Sequence, residues 1–386
     1  MTNSVFSSLP TTIFEVMSGL ARDHDAVNLG QGFPDDPGPE DIRRAAADAA
    51  LHGYNQYPSM LGLPELREAV SAHYLRRQHI AFDPSQVIIM CGATEALAAA
   101  ILGLVEPGDE VVMFQPLYDS YAPMVRRAGG VPKFVKLSPP DWRFTEDMLD
   151  EAITDATKLV IFNNPLNPSA VVYDRDQLDL LAASCIRHDV IAICDEVWEE
   201  VVFGQPAFTP LYALPGMADR CVKIGSAGKI YSLTGWKIGW TIASPALTKA
   251  IAKAHQFLTF TIAPPLQVAV AHGLRKEDDY YAQMQAAFRR SRDRLTTGLR
   301  AEGFAVAPSQ GTYFLTIDLP ASGIDMRDDD FALMAVRDAR VATIPVSAFY
   351  DNDPVTSILR LCYAKKDTTL DAGVEQLAKA RKLAGG

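Results

Sequence analysis

VIAICDEVW, residues 190–198, decides how the rest of the chain is read. Five apolar residues in a row suit a strand covered on both faces, as in a parallel sheet, and a carboxylate follows at once. Four further runs share this character: VIIMC at 87–91, EVVMF at 110–114, LVIFN at 159–163 and CVKIG at 221–225. Helix-like segments such as 94–105 and 175–188 lie between them. Strand–helix alternation of this kind predicts an α/β fold with a mostly parallel sheet flanked by helices.

Outward from that centre, 41–51 is Ala-rich with charges on one face, and 64–78 repeats the pattern with a proline at its start. Residues 1–40 read as an arm rich in turns, with QGFPDDPGPE packing Gly and Pro densely. Beyond about residue 280 a long charged helix (281–301) leads into YFLTID, another helix near 330–340, and SILRLCYA. The expected division is an N-terminal arm (1–40) packing on the small domain, a large domain (41–280) and a small C-terminal α+β domain (281–386). A length of 386 residues agrees with more than one domain, since single domains run to roughly 100–200.

Composition narrows the function classes. The hydrophobic fraction of 48% supports a sizeable core. A net charge of −11 without a dense basic tract argues against nucleic acid or an anionic membrane as partner. Five scattered cysteines (Cys91, Cys185, Cys194, Cys221, Cys362) form no C-x-x-C pair, which speaks against a disulfide framework or a zinc site and suits a reducing compartment. The first twenty residues lack a basic segment followed by an apolar one, and no run approaches the roughly 20 apolar residues of a membrane span. The expectation is a soluble cytoplasmic protein that binds no metal.

Ligands of open α/β sheets bind at the carboxyl ends of the strands, so the residues just after each apolar run come first. Asp195 ends the 190–194 run, where a buried carboxylate is costly unless a cation meets it. A lone Asp there is more often a helix cap or a salt-bridge partner. After CVKIG comes SAGKIYSLTGWKIGW, in which Lys229 follows small residues that admit a ligand. A desolvated lysine loses its proton far below the usual pKa of about 10.4 and becomes a nucleophile. The plainer alternative is two exposed lysines, Lys229 and Lys237, on a loop loosened by Gly235 and Gly239. Gly92 and Ala93 precede a helix beginning near Thr94, a weak phosphate-site signal by itself. NNPLNPSA at 163–170 sets Asn163, Asn164 and Asn167 among prolines in a rigid turn, which turn chemistry alone explains.

Taken together and in order, these stretches resemble the class I aminotransferases, the pyridoxal-phosphate enzymes of fold type I. The similarity covers essentially the whole chain and is carried by VNLGQGFPDDPGP, NQYPSMLGLPELREAV, GATEAL, PLYDSYAPM, NPLNPSA, DEVW, GSAGKIYSLTGWKIGW, GTYFL, TIPVSAFY and LRLCYAKK. It is strongest toward the branch holding kynurenine (glutamine K) and bacterial methionine aminotransferases.

The resemblance implies a role for each matching residue. Lys229 is the lysine that carries pyridoxal phosphate and later shuttles a proton. Asp195 pairs with the ring nitrogen, Asn167 with the ring oxygen, and Tyr118 stacks on the ring. Ser226 and Lys237, with the backbone of Ala93 and Thr94, form the phosphate cup. Tyr57 reaches the phosphate of a neighbouring subunit, which implies a homodimer with shared sites. Arg360 receives the substrate carboxylate, which a planar, always charged fork suits. Gly32, with Phe33 beside it, closes over the substrate, so the arm is expected to act as a mobile lid. Two positions depart from the family pattern. Trp198 stands where relatives carry a tyrosine whose hydroxyl bonds the ring oxygen, and indole can donate but not accept. NPSA replaces the commoner NPTG and is expected to be benign.

The implied reaction is a two-stage exchange of an amino group between an amino acid and a 2-oxo acid. No second arginine is evident for a dicarboxylate. The expected pocket residues, Phe14, Phe33, Tyr118, Trp198, Tyr313 and Phe314, favour methionine, glutamine, aromatic amino acids or kynurenine as donors. A carbon–sulfur β-lyase on the same site and an N-succinyl-diaminopimelate aminotransferase are the alternatives. A cofactor-binding regulator is disfavoured because the family pattern begins near residue 10.

Overall fold

The structure, a computed structural model, describes residues 2–204 and 206–385. Among these, seven strands form one sheet in the order Val87–Cys91, Ile238–Ala243, Cys221–Ser226, Ile191–Asp195, Thr157–Asn163, Glu110–Gln115, Val131–Lys136. All neighbours are parallel except Ile238–Ala243, which runs antiparallel to both strands beside it. The apolar runs are uninterrupted because both faces are covered. Successive residues point to opposite sides, so Ile88, Met90, Ile161, Ile193 and Ile224 enter one apolar cluster. Ile89, Val160, Phe162, Cys194 and Cys221 enter the other. Lys223, the polar exception in its run, is fully buried and paired with Glu196 and with Glu199 at 2.6 Å.

Two strands of the large sheet were not legible as apolar runs. Val131–Lys136 alternates and carries Pro132, which an edge position tolerates. Ile238–Ala243 begins in the stretch that the plainer alternative read as a loop loosened by glycines. Gly239 is not loosening that stretch. A Cβ there would stand 2.8 Å from the Gly92 carbonyl carbon and 2.9 Å from the Ala93 nitrogen, so its bareness lets the strand pass against the start of the Gly92–Leu104 helix.

The rest of the chain builds a smaller sheet, Ile344–Pro345, Ile358–Cys362, Phe314–Asp318 and Ala305–Val306, all antiparallel. The helices Asp278–Ala301, Asp328–Asp338 and Asp367–Leu383 accompany it. Residues 1–40 hold more helix than their Gly and Pro content suggests. Ile13–Asp23 is an amphipathic helix whose N-cap, Thr12, accepts from the Glu15 N–H. Val27–Asn28 then pairs in parallel with Val341–Ala342. No helix among the described residues is long and apolar enough to cross a membrane.

Candidate active site

The carboxyl ends of three parallel strands deliver Asn163, Asp195 and Ser226 to the wall of a cavity of about 310 Å³. The helix Gly92–Leu104 and the turn Ala227–Ile230 close its floor, and Gly32 and Phe33 reach in from the arm.

Asp195 is 5% exposed. Its Oδ2 accepts from the hydroxyl of fully buried Tyr121, while Oδ1 is buried with no hydrogen-bond partner. Burial pushes its pKa up, and the Tyr121 hydroxyl, the Val197 N–H and nearby Lys229 oppose that rise. Lys229 lies on the turn after Ser226. Burial pulls its ammonium down to about 8, Asp195 working against the shift and Arg360 with it. Its Nζ stands 4.7 Å from the centre of the Trp198 ring.

At the other end, Lys237 adopts a left-handed backbone (φ 55°) that turns its side chain toward Thr94, 3.5 Å from Nζ to Oγ1. Ser226 pairs in register with Gly239, so Ser226, Lys237, Thr94 and the Gly92–Ala93 backbone come together from three elements. Amides at a helix start, a hydroxyl and an ammonium make an anion cup. Asn167 takes its place through Asn163, whose Oδ1 accepts the Asn167 N–H at 2.8 Å and whose Nδ2 donates to the Asp195 carbonyl at 2.8 Å. Tyr118 lines the same cavity, packed edge-on against Tyr121.

Arg360 sits in the centre of the small sheet, 2% exposed. Nη1 donates to Asn167 Oδ1 at 3.0 Å and Nη2 to the Gly30 carbonyl at 2.8 Å, while Nε is unpartnered. Burial lowers its pKa to about 10. Of the six aromatic residues expected in the pocket, Phe33, Tyr118 and Trp198 line the cavity. Phe14 and Phe314 instead cover the Arg360 guanidinium, at 5.2 and 4.0 Å. Tyr313 lies behind Lys229. Tyr57 is 79% exposed, packs on Phe260 and stays outside its own chain's cavity. The stretch around Gly32 is held to the small sheet by three hydrogen bonds: Cys362 N donates to the Leu29 carbonyl at 2.7 Å, Asp35 N to the Ala364 carbonyl at 3.0 Å, and Lys365 Nζ to the Phe33 carbonyl at 2.9 Å.

Tyr121 was not singled out from sequence, and Asn163 was read there only as turn chemistry. Tyr121 stands three places after Tyr118 in PLYDSY, and Asn163 ends its strand in register with Asp195. Those spacings were the available signals. The described residues hold no cluster of three or more metal-ligating side chains.

The family model described as "Aminotransferase class I and II" matches residues 24–377. The chain belongs to this family. It is similar to the methionine aminotransferase of Escherichia coli (strain K12), 39% identical over 376 residues that cover 97% of each chain. Kynurenine–oxoglutarate transaminase 3 of Rattus norvegicus is 36% identical over 397 residues, covering 95% of this chain and 87% of its own. Among solved structures, N-succinyldiaminopimelate aminotransferase from Mycobacterium tuberculosis superposes with a TM-score of 0.95. It is 40% identical, and the match covers 98% of this chain and 100% of that one. This aminotransferase is an enzyme whose cofactor is pyridoxal phosphate, and its residues fit that group. The unpartnered Asp195 Oδ1 suits a cationic ring nitrogen, the Ser226–Lys237–Thr94 cup suits a phosphate, and Lys229 supplies an amine of lowered pKa between them.

Proposed function

We propose that the enzyme moves the amino group of a methionine-, glutamine- or aromatic-type L-amino acid to a 2-oxo acid, as a cytoplasmic homodimer. The carrying observation is the convergence of Lys229, the unpartnered Asp195 oxygen and the anion cup in one cavity, with Arg360 just beyond it.

Pyridoxal phosphate, when bound, supplies an electron sink for the pair left as the α-proton departs and an aldehyde carbon that stores the amino group between half-reactions. Lys229 would hold the cofactor through Nζ, and its free amine would take up the substrate α-proton on that atom and hand it on. Asp195 would meet the ring nitrogen through Oδ1, with Tyr121 fixing Oδ2. Asn167 would hold the ring oxygen, Tyr118 and Trp198 would flank the ring, and Arg360 would orient the substrate by its carboxylate. Gly32 and Phe33 shield the reacting atoms from water. Two half-reactions on one site give ping-pong kinetics.

The donor class rests on the cavity wall, where Phe33, Tyr118 and Trp198 are aromatic and the lining cations among the described residues are Lys229 and Lys237. Both of these are committed to the cofactor, which leaves none for a second substrate carboxylate. The names of the methionine and kynurenine relatives agree with this choice. The succinylated dicarboxylate named for the Mycobacterium relative is the second reading, supported by its 40% identity. The dimer reading is supported by the exposure of Tyr54, Tyr57, Phe257 and Phe260, of which Tyr57 and Phe260 pack on each other, and in it Tyr57 would serve the second copy's cup. The five unpaired cysteines suit a reducing cytoplasm.

The test is the visible spectrum of the loaded protein. L-Methionine or L-glutamine should bleach the cofactor band, a 2-oxo acid should restore it, and Lys229→Ala should abolish it. Pyruvate released from a cysteine conjugate without any added 2-oxo acid would make the enzyme a carbon–sulfur lyase instead.

A further inference from the structure

The Lys229 amine is faced by two aromatic rings. Trp198 and Tyr313 present their rings to Nζ at 4.7 and 5.7 Å. Among the described residues its one side-chain hydrogen bond is to the Tyr313 hydroxyl, 3.4 Å away, with Lys229 as donor. Indole has no lone pair to offer an N–H, so Trp198 cannot share that task. Tyr313 is fully buried, and a buried hydroxyl needs a protein partner for its own proton. It finds one in the Gly32 carbonyl, at 2.6 Å. The ring is held by Trp198 edge-to-face at 4.4 Å, by Phe314 at 5.0 Å and by Phe288 at 5.9 Å, so the hydroxyl has little freedom of position. Gly32 belongs to the stretch tied to the small sheet through Gly30 and Phe33.

We propose that Tyr313 is a positioning residue that couples the seating of the arm to the readiness of Lys229 as a base. The proposal rests on the reading of Lys229 as the proton-moving amine. With Gly32 in place, the phenol proton is committed to the Gly32 carbonyl, and the hydroxyl oxygen accepts an N–H of the freed Lys229 amine. The amine's own lone pair is then left for the substrate α-proton. With Gly32 withdrawn, the same phenol proton turns to the amine lone pair and masks the base.

The experiment compares wild type, Tyr313→Phe and Lys229→Ala as full chains. The phenylalanine keeps the ring contacts and removes only the hydroxyl. The loaded proteins are mixed with excess L-methionine, protiated or α-deuterated, and the cofactor band is followed through a single turnover. The cofactor-free proteins are followed by amide exchange over residues 29–35. Tyr313→Phe is expected to load cofactor fully and to lose about ten- to a hundredfold in limiting rate. Its half-saturating methionine concentration should move by less than about threefold, since Arg360, which receives the substrate carboxylate, is untouched. The α-deuterium effect should grow and exchange at 29–35 should quicken. A limiting rate within twofold of wild type, or a rate loss matched by an equal rise in half-saturation, would overturn the proposal, as would unchanged exchange at 29–35. Turnover persisting in Lys229→Ala would instead overturn the reading beneath it, and would do so whatever Tyr313→Phe shows.

Discussion

The hydroxyl of Tyr121 donates to Oδ2 of Asp195 and leaves Oδ1 as the one free acceptor of a carboxylate sealed from water. The pair divides the labour of one side chain. One oxygen is spent on orientation, and the other faces the cavity.

That division makes Tyr121→Phe informative. The bond lowers the Asp195 pKa against the upward push of burial, so removing it lets the pKa rise. Activity that needs ionised Asp195 is then lost at a higher pH as the solution is acidified. A hydrogen bond to a charged group is worth about 1.5–3 kcal/mol, and one pKa unit is about 1.4 kcal/mol. The acid limb of kcat against pH should therefore move to higher pH. An unmoved limb would show that Tyr121 does not govern Asp195.

Lys229 predicts the pH dependence of loading. Burial places its ammonium near 8 instead of the 10.5 of an exposed lysine, and only the neutral amine attacks an aldehyde. Covalent capture of pyridoxal phosphate by the cofactor-free protein should accelerate as pH rises through about 8 and level off above it. A rate still climbing toward pH 10.5 would contradict the desolvated environment. Lys229→Ala should show no capture at any pH.

The phosphate end can be probed without touching a polar group. Gly239→Ala sets a Cβ 2.8 Å from the Gly92 carbonyl carbon and 2.9 Å from the Ala93 nitrogen, and backbone atoms on a packed helix cannot step aside cheaply. The helix start is pushed off the cup. We expect pyridoxal phosphate affinity to fall at least about tenfold, equal to roughly 1.4 kcal/mol, read by titrating the cofactor-free protein. Affinity equal to wild type would mean that the cup does not depend on this approach.

Arg360→Lys keeps the charge and loses the fork. Nη1 and Nη2 now hold Asn167 and the Gly30 carbonyl at the same time, which one ammonium cannot do at both distances. The half-saturating amino-acid concentration should rise about thirtyfold or more, because a buried charged contact is worth about 2 kcal/mol or more, while cofactor loading stays complete. Steady-state kinetics on L-methionine decide it.

Much of this enzyme was legible in one dimension. Uninterrupted apolar runs report strands buried on both faces, since each residue points to one side or the other and neither side meets water. The residues at the ends of those runs, Asn163, Asp195 and Ser226, stand where open sheets bind ligands. Motif order joined Lys229, Lys237 and Arg360 to them. The strand Ile238–Ala243 stayed hidden because its glycine answers to a close approach by another element rather than to its own neighbours in sequence. The Thr12-capped helix lay under turn-forming composition. Tertiary structure alone decided which groups are partnered: Tyr121 on Asp195, Tyr313 between Lys229 and Gly32, and Gly30 under Arg360. Spacing along the chain carries the period of a strand or helix, but not which side chain 74 or 330 residues away supplies a hydrogen bond.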